Sequence, residues 1–296
     1  MFNILVIGSD GQLGHQIETI VKDSPQGNIS YFFTTINDLD ITKYAQIENK
    51  LNERKFDIVI NCAAYTDVNK SEFEKELAFG VNGEAVTNIG RASKKHNCKV
   101  IHISTDYVFD GCSFLPYKED DQVNPKSAYG QSKLKGEENL FNSNKDSIII
   151  RTSWLYSSFG NNFVKTMIRL GNERNELKVV FDQIGTPTFA GDLANTIIEI
   201  VKQFTYSASS FIPGIYHYSN EGVCSWYDFT TSIFNLSGIN RCKVIPIESI
   251  DFPTPAPRPH YSVLNKGKIK STFGITIPHW EESLKICLKE ILAYNN

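Results

Sequence analysis

Tyr129 and Lys133 are the pair of residues in this sequence whose types and spacing suit acid–base chemistry. They stand four positions apart in a segment, 127–133, that is typical of the start of a helix, and residues four apart share one helix face. A lysine ammonium held beside a phenol favours the phenolate, which lowers the pKa of the tyrosine from about 10 toward neutral pH. The pair therefore predicts a proton donor, Tyr129, activated by Lys133, although the same spacing also arises by chance.

A further reactive group follows the predicted strand that precedes this pair. The strand covers residues 99–104, and Thr105 comes directly after it. The carboxyl ends of parallel strands meet at one edge of the sheet, where ligands of open α/β folds bind. We expect the Thr105 hydroxyl to hydrogen-bond the carbonyl oxygen of a substrate and to hold it against Tyr129.

A glycine-rich turn near the N-terminus predicts where a cofactor binds. The pattern Gly8-x-x-Gly11-x-x-Gly14 follows the apolar segment 3–7 and opens a helical pattern. Glycine permits a tight turn and the close approach of a pyrophosphate, which the unpaired N–H groups of the helix N-terminus then bind. This context favours a dinucleotide site over a plain packing turn. The turn residues expected to contact the cofactor are Gly8, Gly11, Gln12, Leu13 and Gly14.

The end of the second predicted strand bears on the choice of nicotinamide cofactor. Many dinucleotide folds place an acidic residue there to bind the ribose 2′-hydroxyl of NAD, but this strand ends in Thr34 and Thr35. With no carboxylate to repel a 2′-phosphate and no arginine to bind one, the sequence permits NADPH or NADH and slightly favours NADPH. Asp40 and Ile41 are candidates for contact with the adenine base, although an aspartate that opens a helix is more often a cap.

Small residues after the third predicted strand, 57–61, also mark the cofactor site. Ala63 and Ala64, followed by Tyr65, would let the cofactor lie across the carboxyl edge of the sheet. We expect all three residues to contact the cofactor. The alternative is that the small residues only pack beneath a helix.

The spacing of apolar residues predicts the fold that positions these groups. Short apolar runs rich in β-branched residues alternate with longer segments of helical period, which indicates a parallel sheet built from βαβ units. Strand candidates cover residues 3–7, 29–34, 57–61, 99–104, 147–151 and 177–181. We predict an α/β, Rossmann-type doubly wound parallel sheet with a smaller C-terminal substrate lobe. Residues 1–153 would form the dinucleotide-binding domain, and residues 154–296 mainly the substrate-binding lobe, interleaved with the last strands of the first domain.

Two helix signals and a proline-rich segment complete the local predictions. The first helix carries one apolar stripe for packing on the sheet, formed by Leu13, Ile17, Ile20 and Val21. Ser71 and Glu74 have the spacing of a capping box at the start of a later helix. Prolines exclude helix interior and central strand from residues 253–259, which form either an ordered extended loop around a site or a flexible surface loop.

Composition excludes several classes of function. The formal net charge of −3 provides no basic field for nucleic acid or an anionic membrane, and no apolar stretch approaches the roughly 20 residues that span a bilayer. The six cysteines show no paired spacing, which fits reduced thiols in a cytoplasmic protein. No histidine or cysteine cluster supports a metal site. We expect a cytoplasmic enzyme with a small-molecule substrate.

Taken together, these residues resemble the extended short-chain dehydrogenase/reductase family and, more narrowly, the family of dTDP-4-dehydrorhamnose reductases. The resemblance covers nearly the whole chain, and its motifs are specific in combination. They are the segments 11–14 (GQLG), 63–68 (AAYTDV), 104–111 (STDYVFDG), 151–156 (RTSWLY), 185–188 (GTPT) and 258–259 (RP).

The resemblance implies NAD(P)H-dependent reduction of the C4 ketone of dTDP-4-dehydro-L-rhamnose to dTDP-L-rhamnose. In this scheme Tyr129 supplies the proton, Lys133 tunes it and Thr105 orients the oxygen.

The resemblance also implies a set of substrate contacts. Asp106 and Trp154 would line the sugar, while Asn162, Arg258 and the turn 185–188 would face the nucleotide. An arginine suits bidentate contact with a diphosphate. Trp154 as core filler and Arg258 in a surface ion pair are the alternatives.

The sequence departs from the family beside the glycine turn. Some members form dimers through a magnesium ion held by glutamates, one of which lies just past this turn. Here His15 and Gln16 follow Gly14, and both are poor magnesium ligands. Neither that metal nor that dimer is expected, and both a monomer and a homodimer remain open. Thr35 stands where many members carry an acidic residue, which argues against strict use of NADH.

Two rival functions remain. Sugar-nucleotide dehydratases and epimerases share the fold and the Tyr/Lys pair, but dehydratases follow their threonine with Asp-Glu, whereas this chain has Asp106 and Tyr107 and so lacks that general base. A non-catalytic regulatory subunit of methionine adenosyltransferase is the other alternative. The retained Tyr129, Lys133 and Thr105 argue against it, since a binding role requires no tuned phenol.

Overall fold

The computed structural model describes residues 1–25 and 27–294, with the side chain of Tyr294 left aside. Within them, six parallel strands form a central sheet in the order β10-β5-β4-β3-β1-β2. The strands are β1 (Phe2–Ile7), β2 (Ile29–Thr34), β3 (Ile58–Asn61), β4 (Lys99–Thr105), β5 (Ser147–Thr152), β6 (Leu155–Tyr156), β7 (Glu176–Val180), β8 (Ile184–Gly185), β9 (Thr188–Phe189), β10 (Gly214–Tyr218), β11 (Cys224–Ser225) and β12 (Lys243–Ile247). The strand order reverses between β1 and β3, which is the switch point at which such sheets bind ligands.

Helices cover both faces of this sheet. They are α1 (Gln12–Asp23), α2 (Tyr44–Asn52), α3 (Lys75–Phe79), α4 (Ala85–Lys95), α5 (Ala128–Ser143), α6 (Phe163–Glu173), α7 (Ala190–Tyr206), α8 (Trp226–Ser237), α9 (Gly267–Phe273) and α10 (Trp280–Tyr294). Alternate residues of β1 point to opposite faces: Ile4 packs with α1 and α7, whereas Leu5 packs with α2, α4 and α5. Burial on both faces explains why these strands are continuous apolar runs. The predicted Rossmann-type doubly wound sheet is confirmed.

The sixth strand of the sheet is not the one that the sequence suggested. The candidate at 177–181 is a strand, β7, but it pairs with β12 in a separate two-stranded sheet. The sixth position belongs to β10, which lies beside β5 and buries Tyr216 and Tyr218. Tyrosine and histidine alternate along β10, and this polar pattern hid a buried strand.

Of the two helix signals, one is confirmed and the other is wrong. Leu13 and Ile17 of α1 are buried in the core as the stripe predicted. Ser71, by contrast, lies in a 3-10 turn, and its hydroxyl donates to the Val68 carbonyl instead of capping a helix. The α-helix starts only at Lys75, with Glu74 at its N-cap and no side-chain hydrogen bond to cap it.

A second apolar cluster lies outside the sheet. It joins α6, α8 and α10 through buried side chains that include Val164, Phe229 and Leu284. Between its parts the chain returns to the sheet as α7 and β10. The boundary predicted between residues 153 and 154 stays a prediction. No helix among the described residues has the length and apolar character needed to cross a membrane.

The proline-rich segment 253–259 forms an extended path without regular structure. Ala256 is buried, and Pro259 packs against Gly111, whose φ of +77° is unfavourable for other residues. Arg258 contacts the side chains of Tyr107 and Asn69. These contacts favour the ordered loop around a site over the flexible surface loop.

Candidate active site

A cavity of about 990 Å³ opens at the carboxyl edge of the sheet, where β1, β3 and β4 end. It brings together most of the residues singled out from the sequence. Its lining includes Gly8, Gly11, Gln12, Leu13, Asp40, Ile41, Ala63, Ala64, Thr105, Asp106, Tyr129, Lys133, Trp154, Asn162 and Arg258. The groups suited to chemistry and those suited to recognition therefore face one space.

The glycine turn is shaped by close backbone contacts. Gly8 has a φ of +78°, and a Cβ there would stand 2.7 Å from the Ala63 nitrogen. A Cβ on Gly14 would collide with the Gly8 carbonyl oxygen, so Gly14 serves the packing of α1 on the turn and lies outside the described lining. No described side chain caps α1, which leaves its first N–H groups available to a phosphate.

Beyond β3, the cavity contacts differ from the prediction at one residue. Ala63 and Ala64 line the cavity, but Tyr65 is not part of the described lining. Its backbone is held by the Asn82 side chain, and its hydroxyl donates to Glu74. The Tyr65 hydroxyl is thus engaged with Glu74 at an exposed position, outside the described lining. Thr66, which the sequence reading did not select, lines the cavity instead.

The segment that follows β2 holds an unexpected carboxylate. Oδ2 of Asp38 accepts hydrogen bonds from the backbone N–H and the hydroxyl of Thr35, both at 2.9 Å. The strand itself ends without a carboxylate, as the sequence indicates, and the turn after it brings the Asp38 carboxylate back to Thr35. Asp40 and Ile41 line the cavity, and their contact with the adenine base stays a prediction. Asp40 accepts from the backbone and hydroxyl of Thr42, in a turn ahead of α2.

At the reacting end, Thr105 is placed by its own strand and turn. Its hydroxyl donates to Asp106 Oδ1 at 2.9 Å and accepts from the Tyr107 N–H at 3.2 Å. A hydrogen bond with Thr105 also lowers the pKa of Tyr129, yet burial of the phenol outweighs it and raises that pKa overall. The net pKa of Tyr129 is therefore raised and not lowered as predicted, because burial of the phenol outweighs the groups that lower it.

Lys133 is buried and anchored to the sheet. Only 2% of the residue is exposed, and its ammonium donates to the Ile103 carbonyl at 2.6 Å. Burial lowers the pKa of Lys133 to about 8. The side chain lies on the same helix, α5, as Tyr129, and the Ser127 hydroxyl caps that helix.

Asp106 presents a buried carboxyl group to the cavity. It is 3% exposed, and burial raises its pKa to about 7, above the lowering effects of Thr105 and Ser262. Near neutral pH such a group is divided between its protonated and ionised forms. It can therefore donate to or accept from a hydroxyl group of a ligand.

Two stacked indoles form one wall of the cavity. The rings of Trp154 and Trp226 lie 3.5 Å apart at 8°, and both line the cavity. Trp154 has a φ of +48°, unusual for a bulky residue, and its carbonyl accepts from the Thr188 N–H. This wall does not fit the reading of Trp154 as mere core filler. Trp226 was missed, because a tryptophan at the start of a helix carries no chemical signature in a sequence.

Arg258 reaches the cavity without an acidic partner among the described residues. Its guanidinium donates to the Tyr107 hydroxyl and to Asn69 Oδ1, each at 2.8 Å. The alternative of a surface ion pair is therefore wrong. A cation bound only to neutral groups is suited to an anionic ligand.

Asn162 lines the cavity and also caps a helix. Its oxygen caps α6, and its amide donates to Gln12 Oε1 at 2.9 Å and to the Ser157 carbonyl at 2.7 Å. Gln12, at the start of α1, also reaches the Leu155 carbonyl at 3.5 Å. The glycine turn and the segment that carries Trp154 are thus linked by side-chain hydrogen bonds.

His15 and Gln16 of α1 contact two other parts of the chain, the helix α10 and the segment before α6. The Gln16 amide donates to Glu290 Oε2 at 3.1 Å, and the ring of His15 packs edge-on against Phe159. Among the described residues, no three His, Cys, Asp or Glu side chains come together as a metal site would require.

Comparison with known proteins supplies the family. Residues 2–293 match the model of the RmlD substrate binding domain. A dTDP-4-dehydrorhamnose reductase of Aggregatibacter actinomycetemcomitans is 39% identical over 290 residues, 96% of this chain and 98% of the relative. The crystal structure of a dTDP-4-dehydrorhamnose reductase from Clostridium acetobutylicum has a TM-score of 0.91 at 42% identity, covering 98% of this chain and 100% of that one. That of Bacillus anthracis, solved in complex with NADP, has a TM-score of 0.89 at 36% identity, again covering 98% and 100%.

Proposed function

The chain belongs to the family of dTDP-4-dehydrorhamnose reductases, and we propose that it reduces the C4 ketone of dTDP-4-dehydro-L-rhamnose to dTDP-L-rhamnose with NADPH or NADH. One observation of the structure carries the proposal. Tyr129, Thr105 and Lys133 face the same cavity as the glycine turn, so a proton donor and a cofactor cradle serve one reacting centre.

The cradle fits a dinucleotide. The turn at Gly8 and Gly11 lines the cavity, a Cβ on Gly11 would meet only the Gly8 carbonyl oxygen at 3.4 Å, and α1 offers uncapped N–H groups to a pyrophosphate. Ala63 and Ala64 leave room along the edge of the sheet. When bound, the reduced nicotinamide supplies the hydride for C4.

Tyr129 supplies the matching proton. Its burial raises the pKa of the phenol, so the hydroxyl is protonated at neutral pH and can donate to the ketone oxygen as that oxygen gains negative charge. Thr105, which contacts Tyr129, orients the same oxygen with its hydroxyl. Reduction requires the protonated form of the phenol, and burial keeps that form populated at neutral pH.

Lys133 stabilises the phenolate that remains on Tyr129 after the proton has left. Its ammonium is fixed by the Ile103 carbonyl, and it also provides donors for the ribose of the nicotinamide. The low dielectric of the buried site increases the effect of its charge on the phenolate. Burial thus makes the lysine costly to protonate but effective once it is charged.

The other lining residues would bind the sugar nucleotide. Asp106 and the Trp154 wall are suited to hydroxyl groups and to the face of a sugar. Arg258, which lacks an acidic partner among the described residues, is suited to the diphosphate, and Asn162 holds the wall against the cofactor turn.

The rival reactions lack support at these positions. Tyr107, which occupies the place of the glutamate in dehydratases, accepts a hydrogen bond from Arg258 and cannot act as a carboxylate base. An epimerase would return the hydride and leave no net oxidised cofactor. A regulatory subunit of methionine adenosyltransferase would bind nucleotide and show no turnover.

We place the reaction in the cytoplasm, where reduced cofactor is available and the six cysteines, all unpaired here, stay reduced.

The decisive assay mixes the purified protein with NADPH, or separately NADH, and the 4-keto-6-deoxy sugar nucleotide, and follows absorbance of the reduced nicotinamide. We expect oxidation that requires the sugar and yields dTDP-L-rhamnose in equal amount. A flat signal despite cofactor binding would overturn the reductase function and favour the regulatory role. Conversion of the sugar without net oxidation would indicate an epimerase.

A further inference from the structure

Glu137 and Arg151 form a buried ion pair between α5 and β5. Nε of Arg151 donates to Oε1 of Glu137 at 2.9 Å, and Nη2 donates to Oε2 at 2.7 Å, a two-pronged geometry in which arginine binds carboxylates strongly. Neither residue belongs to the described lining of the cavity. Any part that the pair plays in the reaction therefore passes through another residue.

Stability alone does not account for this pair. Removing two charges from water costs free energy that their mutual attraction often fails to recover, and apolar side chains of similar volume are often as stable. Here the remaining surface of Arg151 is also occupied, since Nη1 reaches the Glu119 carbonyl at 3.4 Å and the guanidinium lies 5.1 Å from the centre of the Phe109 ring. The chain thus holds a fixed, ionised carboxylate inside the core.

The pair lies beside the anchor of Lys133. In the pairing of β4 with β5, Arg151 stands opposite the residue that follows Ile103, and the Ile103 carbonyl binds the Lys133 ammonium. Tyr129, Lys133 and Glu137 follow one another at intervals of four along α5, so each is the neighbour of the next on the helix surface. The carboxylate is therefore one helical turn from the lysine, and the lysine is one turn from the phenol.

The charge of Glu137 opposes the effect of burial on Lys133. Burial lowers the pKa of Lys133, Glu137 and Cys62 raise it, and the resulting value is about 8. Cys62, just after β3, is an uncharged thiol at neutral pH because burial raises its pKa to about 12. His102 of β4 is uncharged because burial lowers its pKa well below the usual range, and Tyr129 is uncharged until it loses its proton. Of the two groups that favour the ammonium, Glu137 is thus the one that is negative at neutral pH.

We propose that Glu137 and Arg151 are positioning residues that act in the reaction through Lys133. Arg151 keeps the carboxylate ionised in the core, and the carboxylate keeps the lysine charged when the phenol gives up its proton. The inference rests on the proposed function, because it concerns the charge that stabilises the Tyr129 phenolate during that reduction.

The first measurement follows the ionisation of Lys133 directly, without cofactor or sugar nucleotide. Acetic anhydride acetylates the uncharged amine, Lys133 lines the cavity where the reagent enters, and mass spectrometry of the labelled peptide gives the midpoint of the titration. We expect Glu137→Gln to lower this midpoint by about one to two pH units. The amide keeps the shape of the carboxylate but carries no charge, and Arg151 stays positive.

A double variant keeps the test open if the unpaired arginine prevents folding. Glu137→Leu with Arg151→Met replaces the pair by apolar side chains of similar volume. Its midpoint should also move to lower pH, but less far, because no arginine charge remains to repel the ammonium. Glu137→Asp keeps the negative charge, so its midpoint should stay closer to that of the unmodified protein.

Asp192→Asn is the matched control for loss of a carboxylate. Asp192 lies on α7 and accepts hydrogen bonds from the side chains of Asn220 and Ser283, away from the described cavity. The substitution disturbs an internal network of the same kind without changing the charge near Lys133. The midpoint of the acetylation should therefore stay where it is.

Turnover of the sugar nucleotide gives the second measurement. Glu137→Gln should be about tenfold slower than the unmodified protein at about pH 8 and within about twofold at about pH 6, because acid restores the ammonium. A purely structural defect would lower turnover at both pH values alike. Such a uniform loss, or an unchanged acetylation midpoint in both charge-removing variants, would overturn the proposal. Failure of the proposed reductase function is distinguishable: the midpoint would still shift, while no cofactor would be oxidised when the sugar nucleotide is added.

Discussion

The reacting end of the cavity and its aromatic wall are held in place by different kinds of contact. Thr105 and Lys133 belong to a strand and a helix of the sheet layer, are buried, and bond to backbone or to a neighbouring buried group. Trp154, Trp226 and Arg258 are half-buried and contact one another or neutral side chains. The groups that move a proton are thus fixed in advance, whereas those that recognise the ligand keep surface and charge available for it.

The largest effect on turnover is expected from Tyr129→Phe, which tests the reacting end of the cavity. Removing the hydroxyl eliminates the proton donor while leaving the ring in place, so turnover should fall by about 10²–10⁴. Cofactor affinity, measured by fluorescence titration, should stay within about threefold, since the glycine turn is unchanged. Retention of normal turnover in this variant would refute the assignment of the donor.

Arg258→Ala tests the groups that recognise the ligand. We expect the KM for the sugar nucleotide to rise about 10–100-fold because charge-assisted hydrogen bonds to the diphosphate are lost, with a smaller change in kcat. Arg169→Ala is the control, since Arg169 is exposed and pairs with Glu173 on α6. A fall in kcat at constant KM would instead place Arg258 with the reacting groups.

The pH dependence of the reaction examines Lys133. Burial lowers the pKa of this ammonium to about 8, so its charge is present below that pH and lost above it. If the charge stabilises the Tyr129 phenolate, kcat/KM should fall about tenfold for each pH unit above about 8. Lys133→Arg keeps the charge to higher pH, so its residual activity should lack this decline. A decline that starts only near pH 10 would contradict the effect of burial.

The smallest effect is expected from Trp226→Leu. Loss of the stacked partner removes roughly 0.5–1.5 kcal/mol of aromatic contact and frees the Trp154 ring, which should raise the KM of the sugar nucleotide a few-fold. Trp226→Phe should restore most of the loss because it keeps an aromatic face. If both variants behave like the unmodified protein, the wall contributes nothing to binding.

The sequence predicted the reacting end better than the wall, for a physical reason. Thr105 and Tyr129 follow from strand period, helix spacing and the rule that parallel strands end at one edge. Trp226 joins Trp154 across a long stretch of chain, and no local pattern encodes that contact. The position of the Asp38 carboxylate was not predicted, because its contact with the end of β2 depends on a side chain that folds back onto Thr35. The capping box at Ser71 failed because its hydroxyl donates to the Val68 carbonyl within a 3-10 turn.

The hydrogen bonds of Gln12 constrain how this enzyme can change over evolutionary time. Because Gln12 joins the pyrophosphate turn to Asn162 and Leu155, a mutation that reshapes the turn also disturbs the segment leading from Trp154. The end of β2 carries no such link at Asp38, whose side-chain bonds stay within its own turn. The turn after β2 can therefore change alone, whereas a change in the cofactor turn has to be compatible with the segment that carries Trp154.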